Sequence, residues 1–116
     1  MCKKVTLEMV ATSIKNEALR IFADKLNSVI LYGSYARGDN TSRSDIDLML
    51  LVDIPVEILS GYRGEIAKIS SRLSLESEEC ITISVALQDI ETFEKYKTVL
   101  PFFRSVVSEG IVVYAA

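Results

Sequence analysis

The chain has 116 residues, the length of one ordinary domain, and with 49% hydrophobic residues it can fill a core of its own. Its net charge of −3 at pH 7 excludes a surface built to coat nucleic acid, because phosphate-driven binding needs clustered Lys and Arg. It has no histidine, so His-based triads, His metal sites and imidazole acid–base chemistry are excluded together, and carboxylates must carry any metal or proton chemistry.

The N-terminal stretch carries Glu8 and Glu17 among its apolar residues and therefore lacks the uninterrupted apolar run of a signal peptide. No segment approaches the roughly 20 apolar residues needed to span a bilayer. Cys2 and Cys80 lie far apart and fit no C-x-x-C pattern, so neither a zinc site nor a disulfide framework is expected, and the reducing cytoplasm is the expected location.

Over 6–23, apolar residues fall at Leu7, Val10, Ala11, Ile14, Ala18, Ile21 and Phe22, the spacing of a helix with one buried face. The β-branched and aromatic run 28–32 reads as a buried strand broken by Gly33. A second strand is expected over 45–52. Pro55 then opens a helix over 56–73, in which Ile58, Tyr62, Ile66, Ile69 and Leu73 share a face, weakened at Gly61 and Gly64 by about 1 kcal/mol each relative to alanine. CITISVAL, 80–87, is a third strand. Asp89 reads as the N-cap of a short helix over 90–96, Pro101 opens another that Gly110 stops, and IVVY, 111–114, is a last strand at a sheet edge. No repeat, linker or low-complexity tract interrupts this order. The expectation is a single α/β (α+β) domain over 1–116, a small mixed sheet flanked by helices.

Chemistry concentrates around the second strand. Side chains on a strand alternate, so Asp45 and Asp47 point to one side, about 6.6 Å apart along the strand, while Ile46, Leu48 and Leu50 point into the core. Two carboxylates this close repel each other and rise in pKa unless a cation lies between them. Mg²⁺, which takes oxygen ligands from one or two carboxylates plus substrate phosphates, suits the pair. The bland alternative is a pair that only solvates a sheet edge. Before them runs GSYARG, residues 33–38. Gly33 lets the backbone turn sharply and approach a ligand, the amides and hydroxyl at Ser34 suit phosphate oxygens, and Arg37 can pair with a phosphate or, alternatively, with Asp39.

Taken together, G-S-Y-A-R-G-x5-S-D-I-D-L resembles the signature of the DNA polymerase beta-like nucleotidyltransferase superfamily, and the short chain resembles its minimal branch, whose members often partner HEPN-type helical proteins as antitoxins. The resemblance covers 31–52, and beyond it only the layout of elements is compatible. It implies the nucleotidyltransferase fold and transfer of a nucleoside monophosphate from an NTP, ATP foremost, to a protein or small-molecule acceptor, with pyrophosphate released. It further implies that Gly33, Ser34, Arg37 and Ser44 hold the nucleotide while Asp45 and Asp47 are the catalytic residues and bind two Mg²⁺ ions. Paired ions of this kind stabilise the attacking and leaving oxygens of an in-line displacement, which leaves no task for a histidine.

The family supplies a third carboxylate from the strand beside the D-x-D strand. On CITISVAL, alternation puts Cys80, Thr82, Ser84 and Ala86 on the polar side, so Ser84, or alternatively Thr82, takes that place, and a neutral hydroxyl is a poor Mg²⁺ ligand. Glu78 shares the parity but lies about 13 Å from Thr82 on an extended strand, Asp89 is better explained as a cap, and Glu65 and Glu76 as a solvated helix face. Two readings follow: an active nucleotidyltransferase completed by water, substrate or a partner, and a nucleotide-binding antitoxin or regulatory module that does no chemistry. An antibiotic nucleotidyltransferase-like subunit is a third, although such enzymes usually carry a further helical domain. The apolar tail LPFFRSVVSEGIVVYAA offers either core or a partner surface, and a homo- or hetero-oligomer is expected, with no membrane contact and no extended nucleic-acid surface.

Overall fold

The computed structural model describes residues 4–41, 44–76 and 81–116. In chain order the elements are α1 (Lys4–Phe22), β1 (Leu26–Tyr32), α2 (Ser34–Arg37), β2 (Ile46–Val52), α3 (Val56–Leu59), α4 (Arg63–Glu76), β3 (Ile83–Asp89), α5 (Ile90–Tyr96), α6 (Pro101–Glu109) and β4 (Ile111–Ala115), with 3₁₀ turns at Ala23–Lys25 and Ser60–Tyr62. The four strands form one mixed sheet in the order β3-β2-β1-β4. β1 runs antiparallel to both β2 and β4, and β2 runs parallel to β3. This is the mixed α/β architecture expected from the sequence, with β4 at an edge as anticipated.

Alternation along β2 builds two cores. Ile46, Leu48, Leu50 and Val52 join Val29, Leu31, Ile83 and Leu87 under α1, α3 and α4. Met49 and Leu51 join Ile30, Phe93, Phe103 and Val106 under α5 and α6. A strand sandwiched this way reads as a continuous apolar run, and burying each of these side chains contributes about 1.5–3 kcal/mol. Only the entry to β2 breaks the run, and it breaks it with carboxylates.

Several boundaries differ from the sequence reading. β1 begins two residues early, at the fully buried Leu26. β2 starts at Ile46, leaving Asp45 just ahead of the strand. The helix expected over 56–73 is instead α3, a 3₁₀ turn containing Gly61, and α4, which continues to Glu76. Because a 3₁₀ turn advances three residues per turn, it shifts the phase of the apolar stripe, so Leu59 is buried where Ile58 was expected and Ile58 is exposed. β3 starts at Ile83, and Cys80, Glu78 and Cys2 lie outside the described residues. Asp89 does cap α5, its Oδ2 accepting the Thr92 amide at 2.8 Å while Gln88 Nε2 donates to Oδ1 at 3.0 Å. Burial pushes its carboxyl up, but these hydrogen bonds outweigh burial and hold it below its ordinary value.

Candidate active site

The site is assembled where β1 leaves the sheet and β2 enters it. Gly33 follows Tyr32 with φ 77° and ψ −157°, a conformation essentially reserved for glycine. Its carbonyl accepts the amides of Ala36 and Arg37, each at 3.1 Å, and the Ser34 carbonyl accepts those of Gly38 at 2.9 Å and Asp39 at 3.1 Å, winding 34–37 into one helical turn. Gly38, at φ 83°, ends the turn in the left-handed conformation expected of a C-cap glycine.

The Asp47 carboxylate lies against Gly33. A Cβ at Gly33 would collide with Asp47 Oδ2 and stand 3.3 Å from its Cγ, so the glycine is what lets the carboxylate sit at the turn. Asp47 is half-buried, whereas Asp45 is exposed. Burial, and then the negative charge of Asp45, push the Asp47 carboxyl above its ordinary value, with the Arg37 cation opposing them. Asp47 shares the parity of Met49 and Leu51 and so belongs to the α5–α6 face of the sheet, while Asp45 stands just ahead of the strand, near enough for its charge to raise Asp47.

Sequence reasoning missed two neighbours. Tyr32 is the cross-strand partner of Asp47 and stands edge-on to Phe102 of α6, ring centroids 5.4 Å apart. Burial and then the Asp47 charge push its phenol up. Glu109, at the end of α6, lies 3.6 Å from Arg37 Nε, which also meets Asp39 Oδ2 at 3.1 Å. Parity could have signalled Tyr32, since a tight β1–β2 pairing puts the residue before Gly33 beside the acid. Nothing local could have signalled Glu109.

The structure brings Gly33, Ser34, Asp45 and Asp47 to one end of the sheet. The Ser34 hydroxyl has no partner among the described residues. Arg37 takes the alternative foreseen for it, pairing with carboxylates on a solvent-exposed side chain. Ser44 acts on its own loop: its Oγ accepts the Thr41 amide at 2.8 Å and its amide donates to the Thr41 carbonyl at 3.1 Å, which sets the approach to Asp45.

On the other side of Asp47 the parallel register sets Ser84 as its partner. Thr82 and Ser84 are exposed, while Ile81, Ile83 and Leu87 are buried. A serine therefore stands where a third acid was expected. Among the described residues no group of three His, Cys, Asp or Glu side chains could hold a metal ion. Glu65 is exposed and lies 3.6 Å from Arg20 of α1, which fits the solvated helix face expected of it.

The sequence profile described as "Nucleotidyltransferase domain" matches residues 13–113. The chain belongs to the nucleotidyltransferase domain family. Two relatives of this nucleotidyltransferase, both from Methanocaldococcus jannaschii, carry the name protein adenylyltransferase. One is 37% identical over 84 residues, covering 72% of this chain and 82% of the relative, and the other is 31% identical over 93 residues, covering 80% and 83%. Among solved structures, the nucleotidyltransferase resembles a chain of a toxin–antitoxin crystallised with AMP-PNP, at TM-score 0.56 and 24% identity over 89% of this chain and 72% of that one. It also resembles a chain in the complex of a tri-AMPylated Shewanella oneidensis HEPN toxin with its MNT antitoxin, at TM-score 0.50 and 19% identity over 94% and 73%. These likenesses establish the fold, and the family establishes nucleotidyl transfer as the reaction class.

Proposed function

We propose that this nucleotidyltransferase moves AMP from ATP to a hydroxyl group of a partner protein, with Mg²⁺ held by Asp45 and Asp47. The observation that supports this most directly is the packing of the Asp47 carboxylate on the Cβ-less Gly33 turn, which joins a charge-repelled acid pair to the glycine bend of the nucleotidyltransferase signature. Two neighbouring carboxylates, one of them half-buried and pushed up by burial and then by the other's charge, form an oxygen donor set that suits Mg²⁺ completed by triphosphate oxygens and water. When bound, Mg²⁺ neutralises charge that develops on the transferring phosphoryl group. The chain's own residues position the reactants: Gly33 admits the triphosphate, the Ser34 hydroxyl donates to it, and the Arg37–Glu109 contact fixes the turn against α6. The acceptor oxygen bonds to the α-phosphorus, the bond to the bridging oxygen breaks, pyrophosphate departs with that electron pair, and the acceptor proton passes to water.

A protein acceptor is favoured by the relatives named protein adenylyltransferases and by the fold shared with the MNT antitoxin of the HEPN pair. An exposed apolar band on α6 and β4, including Phe102, Val107, Ile111 and Val112, is a surface on which a HEPN-type helical partner or a second copy would bind. No described helix is long and apolar enough to cross a membrane, and a cytoplasmic site of action, where ATP and Mg²⁺ are abundant, completes the proposal. Incubation with labelled ATP and Mg²⁺, with and without the product of the adjacent gene, followed by intact mass measurement, should show a gain of one AMP or a small multiple on that product. No gain on the product overturns the assignment of the acceptor. Mg²⁺ and ATP binding without any transfer would instead support a regulatory nucleotide-binding module.

Ser84 favours a slow enzyme. Ser84→Asp should raise the transfer rate by about tenfold or more, because it restores a third oxygen ligand beside Asp47. An unchanged rate at saturating Mg²⁺ would show that the third ligand comes from elsewhere.

A further inference from the structure

β3 is the outermost strand on the side of the sheet away from β4. In a parallel ladder, alternate residues of an edge strand turn both backbone groups toward the neighbour, and the residues between turn theirs outward. The Ile46 amide donates to the Thr82 carbonyl at 3.0 Å, and Ile46 stands opposite Ile83. Thr82, Ser84 and Ala86 therefore bond to β2, while Ile83, Val85 and Leu87 direct their N–H and C=O groups to the open edge. Side chains of α4 occupy two of these groups. Ser74 Oγ accepts the Ile83 amide at 3.0 Å, and Arg63 Nη1 donates to the Leu87 carbonyl at 3.2 Å. Between them, the N–H and C=O of Val85 have no partner among the described residues.

This edge forms one wall of an open groove of about 350 Å³. Ile66, Ala67 and Ser70 of α4 form the opposite wall, and the groove reaches Asp45. The geometry points to an extended segment of the acceptor protein as the occupant: it pairs with Val85 as an added strand between β3 and α4, and its hydroxyl side chain is carried to the Asp45 end. The inference deepens the proposed function and rests on transfer to a protein.

Three features favour a peptide. A donor and an acceptor on one residue of an edge strand match the main chain of an extended peptide, and a recess between an edge strand and a helix is a recurring place for strand addition. No aromatic ring lines the groove and Arg63 is its one cation among the described lining residues, so it offers neither the stacking platform nor the charge a nucleic acid needs. The groove is also continuous with the site, so docking and transfer share one track. The Ser74 and Arg63 contacts on either side leave a short free edge, which admits a segment and discourages extended self-pairing.

Ala67 is exposed on α4, so Ala67→Trp fills the groove without entering the core. Val85→Pro removes an amide that the β2 ladder does not use, a substitution tolerated on an open edge. With the adjacent gene's product as acceptor and saturating ATP, each variant should raise the KM for that acceptor about tenfold while kcat changes by less than about threefold, and Met9→Trp at an exposed position of α1 should change neither. Independently of turnover, the Val85 amide of the wild-type chain should become protected from hydrogen exchange when that product is added, and the protection should vanish in Ala67→Trp. An unaltered KM together with unprotected Val85 overturns the groove while leaving the transferase reading intact. Absent transfer with protected Val85 supports the groove and overturns the transferase reading instead.

Discussion

Replacing Asp47 with asparagine will cut AMP transfer by about a thousandfold or more, equivalent to about 4 kcal/mol of lost transition-state stabilisation, and will leave the fold intact. Asparagine has the same shape, so it still fits against Gly33 and between Tyr32 and Ser84. What it loses is the charge to which the proposed function assigns a Mg²⁺ ion. In the wild-type chain that charge is unfavourable to the folded state, since burial and then Asp45 push the carboxyl up by more than the Arg37 cation lowers it. A group whose folded pKa is raised is harder to ionise folded than unfolded, so at neutral pH the ionised acid opposes folding. The thermal midpoint of metal-free Asp47→Asn should hold or rise while the labelled-ATP signal disappears. An acid that served only packing would give the reverse, with lost stability and retained transfer. Loss of less than about tenfold in rate would remove Asp47 from the chemistry.

The side taken by Asp47 could be read from the sequence because strand alternation is local: a residue's neighbours two positions away fix its side. The same rule exposed the missing third acid, since Thr82, Ser84 and Ala86 share a parity without a carboxylate among them, and the register then set Ser84 beside Asp47. The features that escaped depend on contacts between distant segments. Tyr32 meets Asp47 only once β1 and β2 are paired in register, and Arg37 meets Glu109 only once α6 is folded over the sheet. An unbroken helix across Gly61 would bury Ile58, whereas the 3₁₀ turn hands that position to Leu59. The open edge of β3 was invisible for a related reason. Strand order follows from a crossover through α4, and no periodicity within 80–87 states which side of the strand is left unpaired.

Two glycines separate the backbone requirement of the turn from the requirement of the site. Gly33 and Gly38 both have φ in the left-handed range, 77° and 83°, so alanine at either strains the backbone, by about 1–3 kcal/mol. Their surroundings differ. Nothing lies within 4 Å of a Cβ at Gly38, while a Cβ at Gly33 meets the carboxylate of Asp47. Gly33→Ala must therefore displace either the turn or the acid, and a shift of about 1 Å in a reacting constellation is enough to lose about a hundredfold in rate. Urea melts should show both alanine variants destabilised, Gly33→Ala the more, and initial rates should fall about a hundredfold or more in Gly33→Ala but by no more than a few-fold in Gly38→Ala. If the two variants lost activity equally, the turn would matter only as a fold element, and the contact between Gly33 and Asp47 would have no part in positioning the acid for catalysis.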